Sequence, residues 1–70
     1  MDMTPVESSN VESVGYDPGT AEMHVRFKDG GLYRYEGVHQ ETYDELMAAE
    51  SVGTYLHQTV KGQHAHERLE

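Results

Sequence analysis

The stretch MHVRFKDGGLYRY, residues 23–35, decides the fold, because apolar and polar residues alternate on both sides of a glycine-containing turn. The alternating apolar residues are Met23, Val25, Phe27, Tyr33 and Tyr35. A three-residue loop over residues 29–31 places Phe27 opposite Tyr33 and brings all of these side chains to one face. A shift of one residue would turn the side chains of one strand to the opposite face. We therefore predict a hairpin with this three-residue loop and a glycine in its left-handed position.

A first strand is predicted over residues 10–16, before the hairpin. Val11 and Val14 lie three residues apart, so strict alternation would place them on opposite faces of the sheet. A β-bulge near Gly15 would bring both to the hydrophobic face. The sequence DPGT at 17–20 then predicts a type II turn, since proline fixes φ at its second position and glycine supplies a positive φ at its third.

Two helices are predicted after the hairpin. The first covers residues 40–50, where apolar residues recur at helical spacing and acidic residues occupy the N-terminal turns that the helix dipole favours for them. Ser51 is a typical N-cap for a second helix that extends to Val60. Gly62, just beyond that helix, is typical of a helix C-terminus.

These elements predict one α+β domain over residues 10–62, a three-stranded antiparallel β-meander followed by two α-helices packed on one face. Residues 1–9 are expected to form an extended N-terminal lead-in. Residues 63–70 are expected to form a polar, only partly ordered C-terminal segment. The last two residues, Leu69 and Glu70, match the dipeptide that a cloning site leaves, so we assign them no functional weight.

Composition and charge narrow the possible functions. The 70 residues carry 13 acidic and five basic side chains, a net charge of −8 with histidine neutral. Such a charge repels nucleic-acid phosphates and anionic lipids and favours basic partners. The absence of cysteine excludes disulfides, thiolate metal sites and a cysteine nucleophile. No apolar run approaches the length of a membrane span and no signal peptide is evident, so we expect a cytoplasmic protein that does not bind membranes.

Basic residues of the hairpin form the candidate site for a ligand or RNA. They are His24, Arg26, Lys28 and Arg34, which alternation predicts on the sheet face away from the helices. Glu22 and Glu36 would partly neutralise this patch, and an ordinary solvated face is the alternative interpretation. Tyr33 and Tyr35 could form a platform on which RNA bases stack. A chain with one phenylalanine and no tryptophan needs them in its core, so we predict that they are buried.

The sequence predicts no catalytic, cofactor or metal site. His57, His64 and His66 lack the spacing and the additional ligands of a zinc site, so we expect surface histidines. The serines do not lie in a nucleophile elbow, and the glycines do not form a phosphate-binding loop. We therefore predict a non-enzyme.

Several short motifs keep a consistent order and spacing along the chain. They are VESVGYD (11–17), VRF (25–27) and GGLYRY (30–35), followed by Val38, Tyr43, Leu46, Ala49, Ser51, Gly53 and Tyr55. This set resembles the KTSC domain, a family named for its occurrence at the C-terminus of some lysyl-tRNA synthetases. The central mark of that family is a Tyr-x-Tyr pair, here Tyr33-Arg34-Tyr35.

The resemblance extends over residues 6–69, with two departures. The family commonly has Val-Pro before the first helix, where this chain has Val38-His39. A tyrosine often follows the second helix, where this chain has His64 and His66. The resemblance implies the small α+β fold, and the family has been suggested to associate with RNA.

Resemblance and charge lead to different expectations of function. The net charge favours a small non-catalytic binding module whose acidic surface meets a basic protein partner. The resemblance favours an RNA- or tRNA-associated accessory module, and a small enzyme is a distant third possibility. Two or three phosphate contacts from the hairpin would give only weak RNA binding, with a dissociation constant no tighter than about 10⁻⁴ M.

Overall fold

Five antiparallel strands and a helical layer make up the fold in the computed structural model, which describes residues 1–70. The strands, which neighbour one another in chain order, are β1 (Thr4–Pro5), β2 (Val11–Asp17), β3 (Glu22–Phe27), β4 (Leu32–Tyr35) and β5 (His66–Arg68). Helix α1 is Gln40–Ala48, and α2 (Val52–Tyr55) continues into one π-helical turn, Leu56–Val60. The α+β class and the central meander are confirmed, but the sheet has five strands instead of the predicted three.

The two additional strands lie at the edges of the sheet, and each is held in place by backbone pairing with its neighbouring strand. In β1, Thr4 pairs with Val14 of β2. The polar C-terminal segment forms β5, whose residues are all exposed, and Tyr33 of β4 pairs with Arg68. Leu69 N donates to the carbonyl oxygen of Leu32 at 2.7 Å, so the terminal dipeptide belongs to this pairing. Neither segment is long enough to show the alternation of apolar and polar residues that predicts a strand. Each becomes a strand because its backbone pairs with unpaired N–H and C=O groups at the edge of the neighbouring strand.

The β-bulge in β2 lies at Glu12, not near Gly15 as predicted. The register is regular from Ser13 onwards, but Val11 pairs with Phe27, which leaves Glu12 as the extra residue. This bulge brings Val11 and Val14 to the same face, where both are completely buried. Gly15 has a different role, because a Cβ there would lie 2.6 Å from the sulfur of Met3.

The hairpin between β3 and β4 differs from the prediction by two residues in register. Phe27 N donates to the carbonyl oxygen of Gly31 at 2.8 Å, so the three-residue loop is 28–30, with Gly30 at φ 100°. Val25 therefore pairs with Tyr33 instead of Tyr35. A two-residue offset leaves every side chain on its predicted face, because the side-chain period of a strand is two. The predicted common face is confirmed, since all five apolar residues belong to the core or pack against it.

The turn between β2 and β3 is not the predicted type II turn. Gly19 has no positive φ, and the left-handed residue is Ala21, at φ 59°. Asp17 organises the turn, because its carbonyl oxygen accepts from the N–H of Ala21 at 2.9 Å and its Oδ1 accepts from Gly19 N at 2.9 Å. Hydrogen bonds to this aspartate therefore determine the turn geometry.

The helical layer covers one face of the sheet and completes the core. The buried apolar residues are Val11, Val14, Met23, Val25 and Tyr35 from the sheet, with Val38, Leu46, Val52, Leu56 and Val60 from the helical half. The Ser51 hydroxyl accepts from Thr54 N and caps α2, and Gly62 follows the helix at φ 85°, both as predicted.

Ala21 supplies the prediction from the fold, since a left-handed conformation costs an L-residue about 1–2 kcal/mol. We expect Ala21→Gly to raise the free energy of unfolding by roughly 0.5–1 kcal/mol, the relief of strain exceeding the entropic cost of glycine. Urea unfolding measures this change. The matched control is Gly30→Ala, where a Cβ would meet no atom within 4 Å and only the backbone is strained. That variant should lose about 1 kcal/mol or more. A loss of stability in Ala21→Gly would contradict the interpretation.

Candidate functional site

The structure separates the four basic residues predicted to form one patch. His24 and Arg34 pair directly across β3 and β4, and Arg26 lies beside them on the outer face of the sheet, away from the helices. Lys28 lies in the hairpin loop, where it lines a cleft on the other side of the sheet with Phe27. The outer face therefore holds three of the four predicted residues.

Acidic side chains neutralise this outer face, and two of them come from β5 and from the C-terminal Glu70, two residues beyond it. Arg26 Nη1 lies 2.9 Å from Glu70 Oε1, and Arg34 Nη2 lies 2.9 Å from Glu67 Oε2. Glu22 Oε2 adds a contact at 3.7 Å to Arg34 Nε and one at 3.9 Å to the ring of His24. Two guanidinium groups therefore meet three carboxylates, and these ion pairs attach the C-terminal strand to the sheet.

The tyrosines of the Tyr-x-Tyr pair lie on the inner face, as predicted for core residues. Tyr35 is 2% exposed, and its burial, with the nearby Tyr33, raises the pKa of its phenol. Tyr33 is half-buried and meets Phe27 edge to face, with ring centroids 5.5 Å apart. The ring of His66 lies 5.7 Å from that of Tyr35 and 6.4 Å from that of Tyr33. These aromatic side chains form one wall of the cleft rather than an exposed stacking platform.

The cleft is an open cavity of about 600 Å³ between the hairpin loop, β4 and the end of the π-helical turn. Lys61, the first residue after that turn, lines it opposite the hairpin, and its Nζ lies 5.1 Å from the centre of the Phe27 ring. Arg68 of β5 lies over the ring of Tyr33 at 5.7 Å. The one acidic side chain of the lining is Asp29, whose Oδ1 already accepts from Gly31 N at 2.8 Å.

The sequence does not predict this cleft. Lys28 was predicted on the outer face by alternation, which ends where the loop begins. Lys61 belongs to no predicted site, and His66 is predicted only as a surface histidine. The one sequence signal was the Tyr-x-Tyr pair, which marks the wall but not the cations that face it.

A second distinctive surface surrounds α1, which carries several acidic and no basic residues. Tyr43 of α1 stacks on Tyr16 with ring centroids 4.8 Å apart. Burial, then the charges of Asp44 and Asp17, raise the pKa of Tyr16.

A hydrogen bond links this surface to α2. The Tyr55 hydroxyl donates to Glu45 Oε2 at 2.7 Å. This hydrogen bond and burial, followed by the charges of Glu45 and Glu41, raise the pKa of Tyr55. The phenols of Tyr16 and Tyr55 are therefore kept neutral by burial and by nearby carboxylates.

Several other polar side chains have structural partners. Ser8 Oγ donates to Asn10 Oδ1 at 3.1 Å, the Ser51 hydroxyl caps α2, and His64 Nδ1 lies 3.1 Å from the carbonyl oxygen of Glu36. Nowhere do three or more histidine, aspartate or glutamate side chains come close enough together to hold a metal ion. Neither α1 nor α2 has the length and apolar surface needed to cross a bilayer.

Comparisons with known proteins agree with this geometry. The family model described as the KTSC domain matches residues 7–64. The crystal structure of a KTSC domain protein from Yersinia pestis superposes with a TM-score of 0.95 at 30% identity, covering 99% of this chain and 97% of that one.

Similar sequences come from three further bacteria. A protein of Tsukamurella paurometabola is 46% identical over 59 residues, covering 84% of this chain and 88% of its own length. An uncharacterised protein of Stutzerimonas stutzeri is 41% identical over 64 residues, covering 91% and 90%. A lysine–tRNA ligase of Nostoc sp. is 35% identical over 63 residues, which are 90% of this chain but 11% of the ligase.

The raised pKa values of the buried and hydrogen-bonded tyrosines predict a loss of stability at alkaline pH. The phenol of an unfolded tyrosine has a pKa near 10, whereas Tyr16, Tyr35 and Tyr55 resist ionisation in the folded chain. Their contribution is therefore complete below pH 10 and declines above it. Denaturant midpoints between about pH 8 and 11 should fall above pH 10, and less steeply in Tyr35→Phe. An identical alkaline decline in that variant would contradict the role assigned to the burial of Tyr35.

Proposed function

The chain belongs to the KTSC domain family, and from this premise we propose that it is a non-catalytic binding module that recognises a basic protein partner through the acidic surface of α1. We define this surface by four carboxylates of residues 40–50. They are Glu41, Asp44, Glu45 and Glu50, and the stretch contains no lysine or arginine.

The observation that supports this proposal is the separation of paired and unpaired charge. Every ion pair between side chains lies on the outer face of the sheet, around Arg26 and Arg34. The carboxylates of the α1 surface take part in none of them, and Glu41, Asp44, Glu45 and Glu50 are all exposed. An unneutralised acidic surface accelerates the encounter with a cationic partner and opposes an anionic one.

A binding role is also consistent with how the reactive side chains are used. The hydroxyls of Ser8 and Ser51 order a turn and a helix terminus, and His24 faces the carboxylate of Glu22. A nucleophile needs a base within hydrogen-bond reach, and these groups are instead engaged in structural contacts.

The second candidate function is an RNA- or tRNA-associated accessory module. The similarity to part of a lysine–tRNA ligase favours it. The outer face argues against it, because an RNA phosphate would have to displace Glu67 from Arg34 and Glu70 from Arg26. The net charge of −8 also repels RNA, and this repulsion grows with the number of phosphates in the strand.

Titration with an octalysine peptide at low salt tests the α1 surface. We expect chemical-shift changes concentrated on α1 and binding about tenfold weaker in the double variant Glu41→Lys/Glu50→Lys, since charge reversal replaces attraction with repulsion. Glu45 is left intact because it accepts the hydrogen bond of Tyr55.

The matched control is Glu7→Lys/Glu12→Lys, which makes the same change in net charge at two exposed positions before and within β2. It should weaken binding much less. Equal weakening by both variants would contradict an α1 site and would reveal attraction by net charge alone. Micromolar binding of single-stranded RNA at physiological salt would instead favour the second candidate function.

A further inference from the structure

The distribution of the five basic side chains singles out the cleft. Arg26 and Arg34 are paired with glutamates on the outer face. The three that are not paired with an acidic side chain are Lys28, Lys61 and Arg68. The two lysines line the cleft, and Arg68 lies over the Tyr33 ring in its wall. In a chain with 13 acidic residues, two of the three unpaired basic side chains therefore line one concave surface, and the third lies over an aromatic ring of its wall.

The same cleft offers flat apolar contact next to these cations. Phe27 and Tyr33 are half-buried and perpendicular, so the corner between them offers apolar surface to a planar group. The Phe27 ring also holds Lys61 Nζ at the cleft by a cation–π contact, which reduces the conformational freedom that binding would otherwise remove. The volume of about 600 Å³ lies within the range of small-molecule sites.

We propose that this cleft binds a small aromatic phosphate of mononucleotide size, with the phosphate held by Lys28 and Lys61 and the base lying against Phe27 and Tyr33. Phosphate matches the cations, because lysine binds it as a compact point charge. The base matches the aromatic wall, and the amide and hydroxyl of Asn10 and Ser9 at the rim of the cleft can bond to its polar edge.

The surrounding charge favours a free mononucleotide over an RNA strand. A mononucleotide places its whole charge within the cleft, beside the unpaired cations. A strand would extend additional phosphates beyond the cleft over a surface that is acidic overall. This site is separate from the α1 surface, so each proposal stands or fails independently of the other.

The test is an NMR titration of the full chain at low salt with four probes: adenosine monophosphate, adenosine, inorganic phosphate and a short adenosine oligonucleotide. We expect adenosine monophosphate to shift the signals of Phe27, Lys28, Tyr33 and Lys61 and to bind about tenfold more tightly than adenosine or phosphate alone. Absence of these shifts at millimolar nucleotide would overturn the proposal. Tighter binding of the oligonucleotide would overturn the assignment to a free ligand and support the RNA-associated function.

Variants distinguish binding at the cleft from a general effect of the net charge. Lys61→Gln should weaken binding about tenfold, because a charge-assisted hydrogen bond is lost. Lys61→Gln/Glu12→Gln restores the net charge of −8 and should bind as weakly as the single variant. Lys61→Arg should retain most of the affinity. Phe27→Leu keeps an apolar side chain at the edge of the core. It should weaken the binding of the nucleotide but not the binding of inorganic phosphate. Recovery of affinity in the charge-restored double variant would show that the cleft cations are not the binding site.

Discussion

The strict alternation of side chains in β3 and β4 is the constraint on which the rest of this small structure depends. It gives one face to Met23, Val25 and Tyr35, on which the helices pack, and the other to Arg26 and Arg34, which the ion pairs require. The single extra residue at Glu12 allows β2 to join the same hydrophobic face despite its irregular spacing. With only ten buried apolar residues in the core, a strand that presented the wrong face would remove most of its packing.

That constraint also divides the charge of the molecule into three regions. On the outer face, arginines and glutamates neutralise each other and hold β5 to β4. The helical layer has an unpaired acidic surface on α1, and the cleft at its end contains the unpaired Lys28 and Lys61. A net charge of −8 therefore conceals one locally basic site, because formal charge counts residues without regard to which of them are already paired.

Much of this architecture could be predicted from the sequence, and its limits have physical reasons. Alternation predicted the faces of Phe27 and Tyr33 even though the register differed by two residues. Side-chain direction repeats every two residues along a strand, so such an offset leaves each side chain on the same face. Capping chemistry located both ends of the second helix. The edge strands could not be predicted, because two or three polar residues become a strand only when an unpaired neighbour is available. Nor could the cleft, which joins Lys28 to Lys61 through tertiary packing that no local pattern encodes.

The pairing of β4 with β5 has a consequence for the order in which the chain folds. The β2–β3–β4 meander is built from neighbouring segments, whereas Tyr33 reaches Arg68 only after both helices have been traversed. Contacts that are distant in the sequence require closure of a longer loop, so β5 is expected to dock last. Until it does, the N–H and C=O groups at the edge of β4 remain unpaired and open to another chain. The net charge of −8 repels copies of the protein from one another, and it therefore opposes such pairing while the edge of β4 is uncovered.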